Sequence, residues 1–370
     1  MDMQRNMDTE NDRQLRVVLT GGHAASPGIA VSEELKRRYP NAKLFWIGSK
    51  YAVPGSRVTT LEYKIFPEIG VKFYSLITGK IQTKFTRYTI PLFLCIPFSF
   101  VQALLLVIKL KPRILVSFGG FSSFPVIFWG WVLRIPVILH EQTVAAGRAN
   151  IISAFFARKI ALSRGESLNF FPRSKSVVTG NPILAEMLAI SPKMKLTATK
   201  TILVVGGSRG SEFINEEIFK IVPELIKKYR IIHITGERDF RKYKEGGSER
   251  YKVLAFVDPR EMPRYYGESD LIIARSGAST VSEILYIKRP AIFIPLPRTF
   301  MDEQYKNAKY AESFGLARVL RETEVSSASL IRNVDEMFHD WQKIVDKVLE
   351  KKSPDSGASQ KIVDMVGEYI

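Results

Sequence analysis

The sequence predicts an α/β protein with two Rossmann-like halves. Short apolar runs alternate with helix-like segments along most of the chain, as is typical of a parallel sheet covered by helices. Each half opens with an apolar run, a glycine-rich turn and a helix, and a segment with two prolines, residues 181–200, separates them. The 370 residues are enough for two domains of ordinary size.

The first half begins with the apolar run LRVVLT, residues 15–20, which two glycines end. The segment AVSEELKRRYP predicts a helix that Pro40 ends, and AKLFWIG, residues 42–48, predicts the second strand. Further strands are predicted in PRILVSFGG (112–120), IPVILHEQ (135–142), KIALS (159–163) and SVVTG (176–180).

The second half begins with TILVVGGSRGSEFINEEIF, which again predicts strand, glycine turn and helix, with Ser208 as the N-cap. YRIIHITG, YKVLAFV, DLIIA and PAIFIP predict further strands, and residues 355–370 predict a terminal helix. We therefore expect an N-terminal domain over residues 1–180, a linker over 181–200 and a C-terminal domain over 201–345. The expected helical tail, residues 346–370, would pack back on the N-terminal domain.

The charge distribution indicates a membrane surface as a partner. The formal net charge is +17, yet residues 69–140 contain no Asp or Glu and eight Lys or Arg. The same stretch is the most apolar part of the chain, which favours anionic lipid over nucleic acid. Residues 88–108 carry no charge, but Pro91 and Pro97 interrupt them. We therefore favour a buried or membrane-dipping helix over a membrane span.

Residues 75–88 predict a basic amphipathic helix at the membrane. The alternative is a solvated charged face above a core stripe. The spacing places three apolar residues on one face and three basic residues beside it: Ile77, Ile81 and Phe85, with Lys80, Lys84 and Arg87.

Other features exclude several classes of protein. The single cysteine, Cys95, rules out an internal disulfide, and the four histidines have no zinc-ligand spacing with it. The first twelve residues are polar and lack the apolar core of a signal peptide, so we expect the protein in the cytoplasm. The P-loop pattern is absent, which excludes that class of NTPase.

The clearest chemistry lies in RSGASTVSEIL. Ser276 and Gly277 stand at a predicted helix start, where backbone N–H groups and the helix dipole suit a diphosphate. Glu283 follows about two turns later, and its carboxylate can accept both hydroxyls of a ribose. The alternative for each glycine turn alone is a helix cap with a glycine for close packing.

These motifs together resemble the MurG family of peptidoglycan glycosyltransferases, glycosyltransferase family 28. The resemblance covers roughly residues 15–320 and rests on TGGH…PG, SFGGFSSFP, IPVILHEQ, GNPI, VVGGSRG, ARSGASTVSEI and DEQYKNA, in that order. It implies a GT-B fold, two Rossmann-like domains with a cleft between them. It also implies inverting transfer of N-acetylglucosamine from UDP-N-acetylglucosamine to undecaprenyl-diphosphate-linked muramyl-pentapeptide, with no obligatory cofactor or metal.

The resemblance also implies where the substrates lie. The C-terminal half would hold the UDP-sugar, and the N-terminal half would hold the lipid-diphosphate acceptor at the cytoplasmic face of the membrane. The protein would be peripheral there, with other cell-wall enzymes as partners and no nucleic acid.

The resemblance assigns roles to individual residues. His23 is the candidate base for the acceptor hydroxyl, and Glu141 is the alternative base. His23 also has a plainer interpretation, as a residue that only caps the turn. Carried over by motif, the donor-binding residues are Thr20, Gly21, Gly22, Ser208, Ser276, Gly277, Glu283 and Gln304, and the acceptor or cleft residues are Gln142, Thr143 and Asn150.

Some positions depart from the family pattern, so we interpret the chain as a divergent member. Val18 and Leu19 replace two glycines of the first loop, Thr143 replaces an Asn after HEQ, and Leu184 replaces an Arg after GNPI. Two alternatives remain open: transfer of a UDP-sugar to another lipid, of diacylglycerol or polyprenyl type, or an inactive nucleotide-sugar-binding subunit at the membrane. A nucleotide-sugar epimerase shares the fold but has no need of the basic apolar stretch.

Overall fold

The computed structural model describes residues 14–22, 24–51, 58–77, 89–207 and 210–370, with residues 89–94 described by their backbone alone. The chain divides into two compact units. Unit 1 comprises Met1–Pro182 and Gly357–Ile370, and unit 2 comprises Ile183–Ser356. Each unit is a parallel sheet covered by helices, which confirms the predicted α/β fold class.

Unit 1 contains a seven-stranded sheet in the order β3-β2-β1-β4-β5-β6-β7, in which every pairing is parallel. The register places Val18 opposite Phe45 on one side and Leu115 on the other. Its strands are β1 Arg16–Thr20, β2 Lys43–Gly48, β3 Lys72–Ser75, β4 Ile114–Ser117, β5 Val137–Glu141, β6 Lys159–Leu162 and β7 Ser176–Val178.

The described helices of the first 182 residues are α1 Ala25–Arg38, α2 Leu61–Glu68, α3 Thr89–Leu110, α4 Phe124–Val132 and α5 Arg148–Phe156. Helix α1 begins five residues before the predicted segment and ends before Pro40. It takes in Pro27 because a proline in the first helical turn lacks only an N–H that would have no intrahelical partner.

Unit 2 contains a six-stranded parallel sheet in the order β10-β9-β8-β11-β12-β13. Its strands are β8 Thr201–Val205, β9 Arg230–Ile234, β10 Tyr251–Leu254, β11 Leu271–Ala274, β12 Ala291–Phe293 and β13 Ala317–Val319. Its helices are α6 Ala185–Leu188, α7 Glu212–Leu225, α8 Phe240–Tyr243, α9 Met262–Glu268, α10 Ala278–Ile287, α11 Glu303–Phe314, α12 Ser327–His339 and α13 Trp341–Leu349.

The last helix, α14 Ala358–Gly367, belongs to unit 1 and packs against α1. Its apolar residues Ile362, Val363 and Val366 are buried. The Arg38 guanidinium donates to the Asp364 carboxylate at the edge of this contact. The chain therefore returns to its first unit after completing the second.

Candidate functional site

The two glycine loops of unit 1 meet where the strand order of its sheet reverses. Strands β1 and β4 are adjacent there, and open parallel sheets bind ligands beyond the strand ends at this point. The Gly22 N–H donates to the Gly119 carbonyl at 3.0 Å, and the Ser122 hydroxyl donates to the Gly21 carbonyl at 3.3 Å. Gly120 has φ +90°, and a Cβ there would lie 3.2 Å from Gly22 N. The loops can pack this closely because they lack side chains at the contact.

The first loop uses its threonine inside the sheet. Thr20 is fully buried, and its hydroxyl donates to the Ile47 carbonyl at 2.8 Å. The side chain therefore ties β1 to β2, and the backbone of Gly21 and Gly22 is what the loop presents. The candidate base His23 lies outside the described residues, so its role stays a prediction.

Glu141, the alternative base, ends β5 and is only 2% exposed. One carboxylate oxygen accepts from the Thr143 N–H at 3.1 Å and from the Thr143 hydroxyl at 3.0 Å. The other accepts from the Gly147 N–H at 3.0 Å and from Asn150 Nδ2 at 2.8 Å. Burial raises the pKa of the carboxyl group, and these donors act against that rise. Glu141 thus holds the loop after β5 to the start of α5.

The predicted acceptor residues continue this network onto the second glycine loop. Gln142 Nε2 donates to the Phe118 carbonyl at 3.1 Å. The Asn150 amide packs against Gly119, where a Cβ would lie 2.2 Å from Asn150 Oδ1. That amide oxygen is buried and has no hydrogen-bond partner within the described chain. Gln142, Thr143 and Asn150 are therefore brought together at the edge of the unit 1 sheet.

In unit 2, Ser211 rather than the predicted Ser208 caps helix α7. The Ser211 hydroxyl accepts from the Ile214 N–H, and the helix begins at Glu212. The cap comes later than predicted because the loop first passes tightly against the end of β9. Gly210 has φ +75°, and a Cβ there would lie 2.0 Å from the Thr235 carbonyl oxygen. Ser208 itself lies outside the described residues, and its contact with the donor stays a prediction.

Ser276 and Gln304, 28 residues apart in sequence, are brought together beside the start of α10. The Ser276 hydroxyl donates to the Gln304 carbonyl at 2.7 Å, and Asn307 Nδ2 donates to the Ser276 carbonyl at 3.2 Å. Gly277 is the N-cap of α10 and has no side chain to satisfy the first N–H groups of the helix. The Gln304 side-chain oxygen accepts from the Leu296 N–H at 3.0 Å, which orients its amide. A helix start without a side-chain cap, whose free N–H groups suit an anion, and an oriented amide therefore lie side by side.

Arg275 connects these loops, a role that could not be identified from the sequence. The buried guanidinium donates to the Ser211 hydroxyl at 3.0 Å and to the Ile294 and Pro295 carbonyls at 3.0 and 3.1 Å. It also pairs with Glu322 at 2.5 Å. The only sequence signal is an arginine directly after an apolar strand, because its partners lie 19 to 64 residues away.

Glu283 lies on α10, the helix that begins after Gly277, and is partly exposed. Its carboxylate accepts from the Tyr266 hydroxyl of α9 at 2.9 Å. Burial raises the pKa of Glu283 to about 7, and the Tyr266 hydrogen bond acts against this rise. The predicted ribose ligand is therefore near the helix start and has a tyrosine partner that sequence analysis did not identify.

Of the predicted membrane helix, residues 75–88, the structure describes only 75–77, and these are not helical: Ser75 ends strand β3, and Ile77 is exposed. The other candidate residues, Lys80, Ile81, Lys84, Phe85 and Arg87, lie outside the described residues. The next helix, α3, exposes Phe98, Val101, Leu105 and Ile108, one face at helical spacing. It packs beside α4, which packs beside α5. Those two helices expose Trp131 and Phe155, whose rings lie 6.5 Å apart. We call these six residues of α3, α4 and α5 the apolar face.

No helix of the described residues combines the length and apolar character that crossing a membrane requires. No group of three or more His, Cys, Asp or Glu side chains is placed to hold a metal ion in the same residues.

Comparison with known proteins shows the family. Residues 17–162 match the glycosyltransferase family 28 N-terminal domain, and residues 201–362 match the glycosyltransferase family 28 C-terminal domain. The chain is 31% identical over 363 residues to UDP-N-acetylglucosamine–N-acetylmuramyl-(pentapeptide) pyrophosphoryl-undecaprenol N-acetylglucosamine transferase 2 of Bacillus cereus. That alignment covers 95% of this chain and 99% of the relative.

Solved structures show the same fold. The crystal structure of MurG from Acinetobacter baumannii matches with a TM-score of 0.69 at 23% identity, over 96% of this chain and 99% of that one. UDP-GlcNAc 2-epimerase from Neisseria meningitidis, bound to UDP-GlcNAc, matches with a TM-score of 0.65 at 12% identity, over 96% and 100%. Both likenesses concern the fold, and the predicted GT-B fold class is confirmed. Because a relative this similar spans nearly the whole chain, the protein belongs to the MurG family, glycosyltransferase family 28.

Proposed function

We propose that the protein transfers N-acetylglucosamine from UDP-N-acetylglucosamine to the undecaprenyl-diphosphate-linked muramyl-pentapeptide, converting lipid I to lipid II with inversion at the anomeric carbon. It is a hexosyltransferase of family 28. A relative that is named for this reaction aligns with it over nearly the whole length of both chains. The observation that carries the proposal is the assembly of Ser276, Gln304 and the uncapped start of α10 at one sheet edge.

The donor would bind at this assembly in unit 2. The diphosphate would accept from the first N–H groups of α10, which the helix dipole makes favourable for an anion. The Glu283 carboxylate would accept from the ribose hydroxyls, and the Gln304 amide would contact the sugar. Arg275 supports this arrangement because it fixes the Ser211 cap relative to the loop after β12. Ser208, in the glycine loop before Ser211, would lie by the diphosphate or the sugar.

The acceptor would bind at the two glycine loops of unit 1, where the backbone of Gly22 and Gly120 is not covered by side chains of its own and a substrate can approach it closely. We assign the base role to His23, which follows Gly22 in the first loop. Glu141 suits this role less well because both of its oxygens already accept hydrogen bonds from its own loop and α5. Its contacts instead favour a role in holding Gln142, Thr143 and Asn150 in place. The acceptor hydroxyl would lose its proton as the sugar leaves UDP.

Membrane association would use the apolar face of α3, α4 and α5. Phe98 is 68% exposed and Phe155 is 73% exposed. A group of exposed apolar side chains of this kind is typical of a surface that binds a partner or a membrane. Residues 69–140 are free of acidic side chains, so anionic lipid meets no repulsion there. This arrangement supports a peripheral position on the cytoplasmic face, beside the lipid-linked acceptor.

The direct test incubates the purified protein with radiolabelled UDP-N-acetylglucosamine and a lipid-diphosphate muramyl-pentapeptide. We expect label in the lipid product and release of UDP in equal amounts. Label transferred only to diacylglycerol, or nucleotide binding without any transfer, would replace this proposal with one of the alternatives. Release of the free 2-epimer of the sugar would identify an epimerase.

A further inference from the structure

We propose that Tyr266 is a positioning residue of the donor site, which fixes the Glu283 carboxylate for the two ribose hydroxyls of the nucleotide. This inference rests on the proposed function, because it takes Glu283 as the ribose ligand. It adds a residue from a different helix, α9, which none of the sequence motifs contains.

The geometry connects the two residues directly. Tyr266 is 1% exposed, and its hydroxyl donates to Glu283 Oε2 at 2.9 Å. The ring is therefore held in the interior of unit 2, while the hydroxyl reaches the partly exposed carboxylate on α10. A hydrogen bond to a charged carboxylate is stronger and more directional than one between neutral groups.

The bond leaves the carboxylate able to bind a diol. Glu283 Oε2 keeps one lone pair, and Oε1 keeps two, after the Tyr266 hydroxyl is bound. Two neighbouring ribose hydroxyls need two acceptor positions in a fixed plane. A carboxylate that can rotate freely would lose side-chain entropy on binding, whereas one already held by Tyr266 loses less.

The same bond also favours the ionised carboxylate, which is the form that accepts from two hydroxyls. Burial raises the pKa of Glu283 to about 7, and the Tyr266 hydroxyl is the one titratable group of the described chain that acts on it. Without the Tyr266 hydroxyl, Glu283 would hold its proton to a higher pH.

The test compares UDP with 2′-deoxy-UDP by calorimetry on the full-length protein between pH 6 and 8.5. The two nucleotides share their phosphates and base, so the ratio of their affinities isolates the ribose contact. We expect the wild-type protein to favour UDP and to lose that preference as the pH falls through about 7, because Glu283 becomes protonated.

Tyr266→Phe keeps the buried ring and removes only the hydroxyl. We expect UDP affinity at pH 7 to fall about tenfold, the usual effect of losing one hydrogen bond to a charged group. The ratio of the affinities for UDP and 2′-deoxy-UDP should fall towards one. The pH at which half of the preference is lost should rise. Tyr229→Phe is the matched control, since its hydroxyl donates to Asp335 at 2.6 Å away from α10 and should change neither quantity.

Glu283→Gln distinguishes the assignment of Glu283 as the ribose ligand from the assignment of Tyr266 as its positioning residue. If this variant keeps the wild-type preference for UDP, Glu283 does not bind the ribose and the donor assignment itself fails. If Glu283→Gln loses the preference while Tyr266→Phe retains both the preference and the pH midpoint, only the role of Tyr266 is overturned. If Tyr266→Phe loses the same factor of affinity for both nucleotides, the role of Tyr266 is also overturned, because such a loss indicates a change in the fold rather than in the ribose contact.

Discussion

At the scale of single residues, the contacts of Glu141 separate two functions that the sequence left open. A carboxylate that acts as a general base needs an oxygen that is free to take a proton from the substrate. Glu141 instead directs both oxygens at donors from Thr143, Gly147 and Asn150, within its own loop and the first turn of α5. Its geometry is that of a residue that shapes a loop, which leaves His23 as the stronger candidate for the proton transfer.

We predict that His23→Ala lowers turnover by about two to four orders of magnitude, the usual cost of losing a general base. The affinity for UDP should change little, because the proposed ribose contact, Glu283, and the start of α10 lie in unit 2. The wild-type rate should fall at low pH through a group near the unperturbed imidazole value of about 6.5. Steady-state kinetics over pH 5–9 measure both effects, and His339→Ala, an exposed histidine on α12, is the control.

Glu141→Gln tests the rival assignment in the same assay. We expect a smaller loss of turnover and a higher KM for the acceptor, because the amide cannot accept all four hydrogen bonds and the loop shifts. An inactive Glu141→Gln beside a nearly normal His23→Ala would reverse the two roles. If both variants keep normal activity, neither residue is the base, and the proposed position of the acceptor at these loops of unit 1 is wrong.

Other residues show where sequence reasoning stops. Ser276, Gly277 and Gln304 could be predicted because they stand in contiguous motifs, and the structure brings them together. Arg275 and Tyr266 could not, because each is defined by partners on other elements. Ser208 was wrongly predicted as the helix cap because the steric demand on Gly210 comes from Thr235, 25 residues further along the chain.

At the scale of elements, long apolar runs were enough to predict most of the strands. Strand β3 (KFYS) and strand β13 (ARV) were not identified, because runs of 4 and 3 residues with a basic residue carry too little periodicity. Helix α3 presents the opposite problem. It is apolar on both sides, so the pattern alone does not say which face is buried. The structure buries Ala103, Val107 and Leu110 and exposes the apolar face.

We predict that the apolar face binds lipid. Phe98→Glu combined with Leu105→Glu should release the protein from vesicles that contain anionic lipid, because each charge would have to enter the membrane interface. Vesicle sedimentation at low and high salt measures the effect, and high salt should weaken binding of the wild-type protein only in part. Phe219→Glu, at an exposed phenylalanine of unit 2, is the matched control. Equal sedimentation of the double variant and the wild type would contradict the prediction.

At the scale of the whole molecule, the path of the chain makes unit 1 depend on a helix that follows unit 2 in the sequence. The final helix, α14, packs on α1, directly after the first glycine loop. It buries four branched or long apolar side chains, Ile362, Val363, Met365 and Val366, each worth about 1.5–3 kcal/mol when removed from water. The surface ion pair between Arg38 and Asp364 adds little, since exposed pairs contribute about 0–1 kcal/mol. The apolar contact, rather than the ion pair, should hold the terminus in place.

We therefore predict that deletion of residues 357–370 destabilises unit 1 and leaves nucleotide binding intact. Amide hydrogen exchange should show faster exchange in α1, which loses its packing partner, and unchanged protection in α7. UDP affinity should stay close to that of the full-length protein, because the proposed donor contacts of Ser276, Glu283 and Gln304 lie in unit 2. Asp364→Ala, which removes only the ion pair, should leave α1 protected. If α1 exchanges at the same rate with and without α14, the terminal helix does not stabilise unit 1. If UDP affinity falls with the deletion, UDP binding depends on unit 1, where the first glycine loop lies.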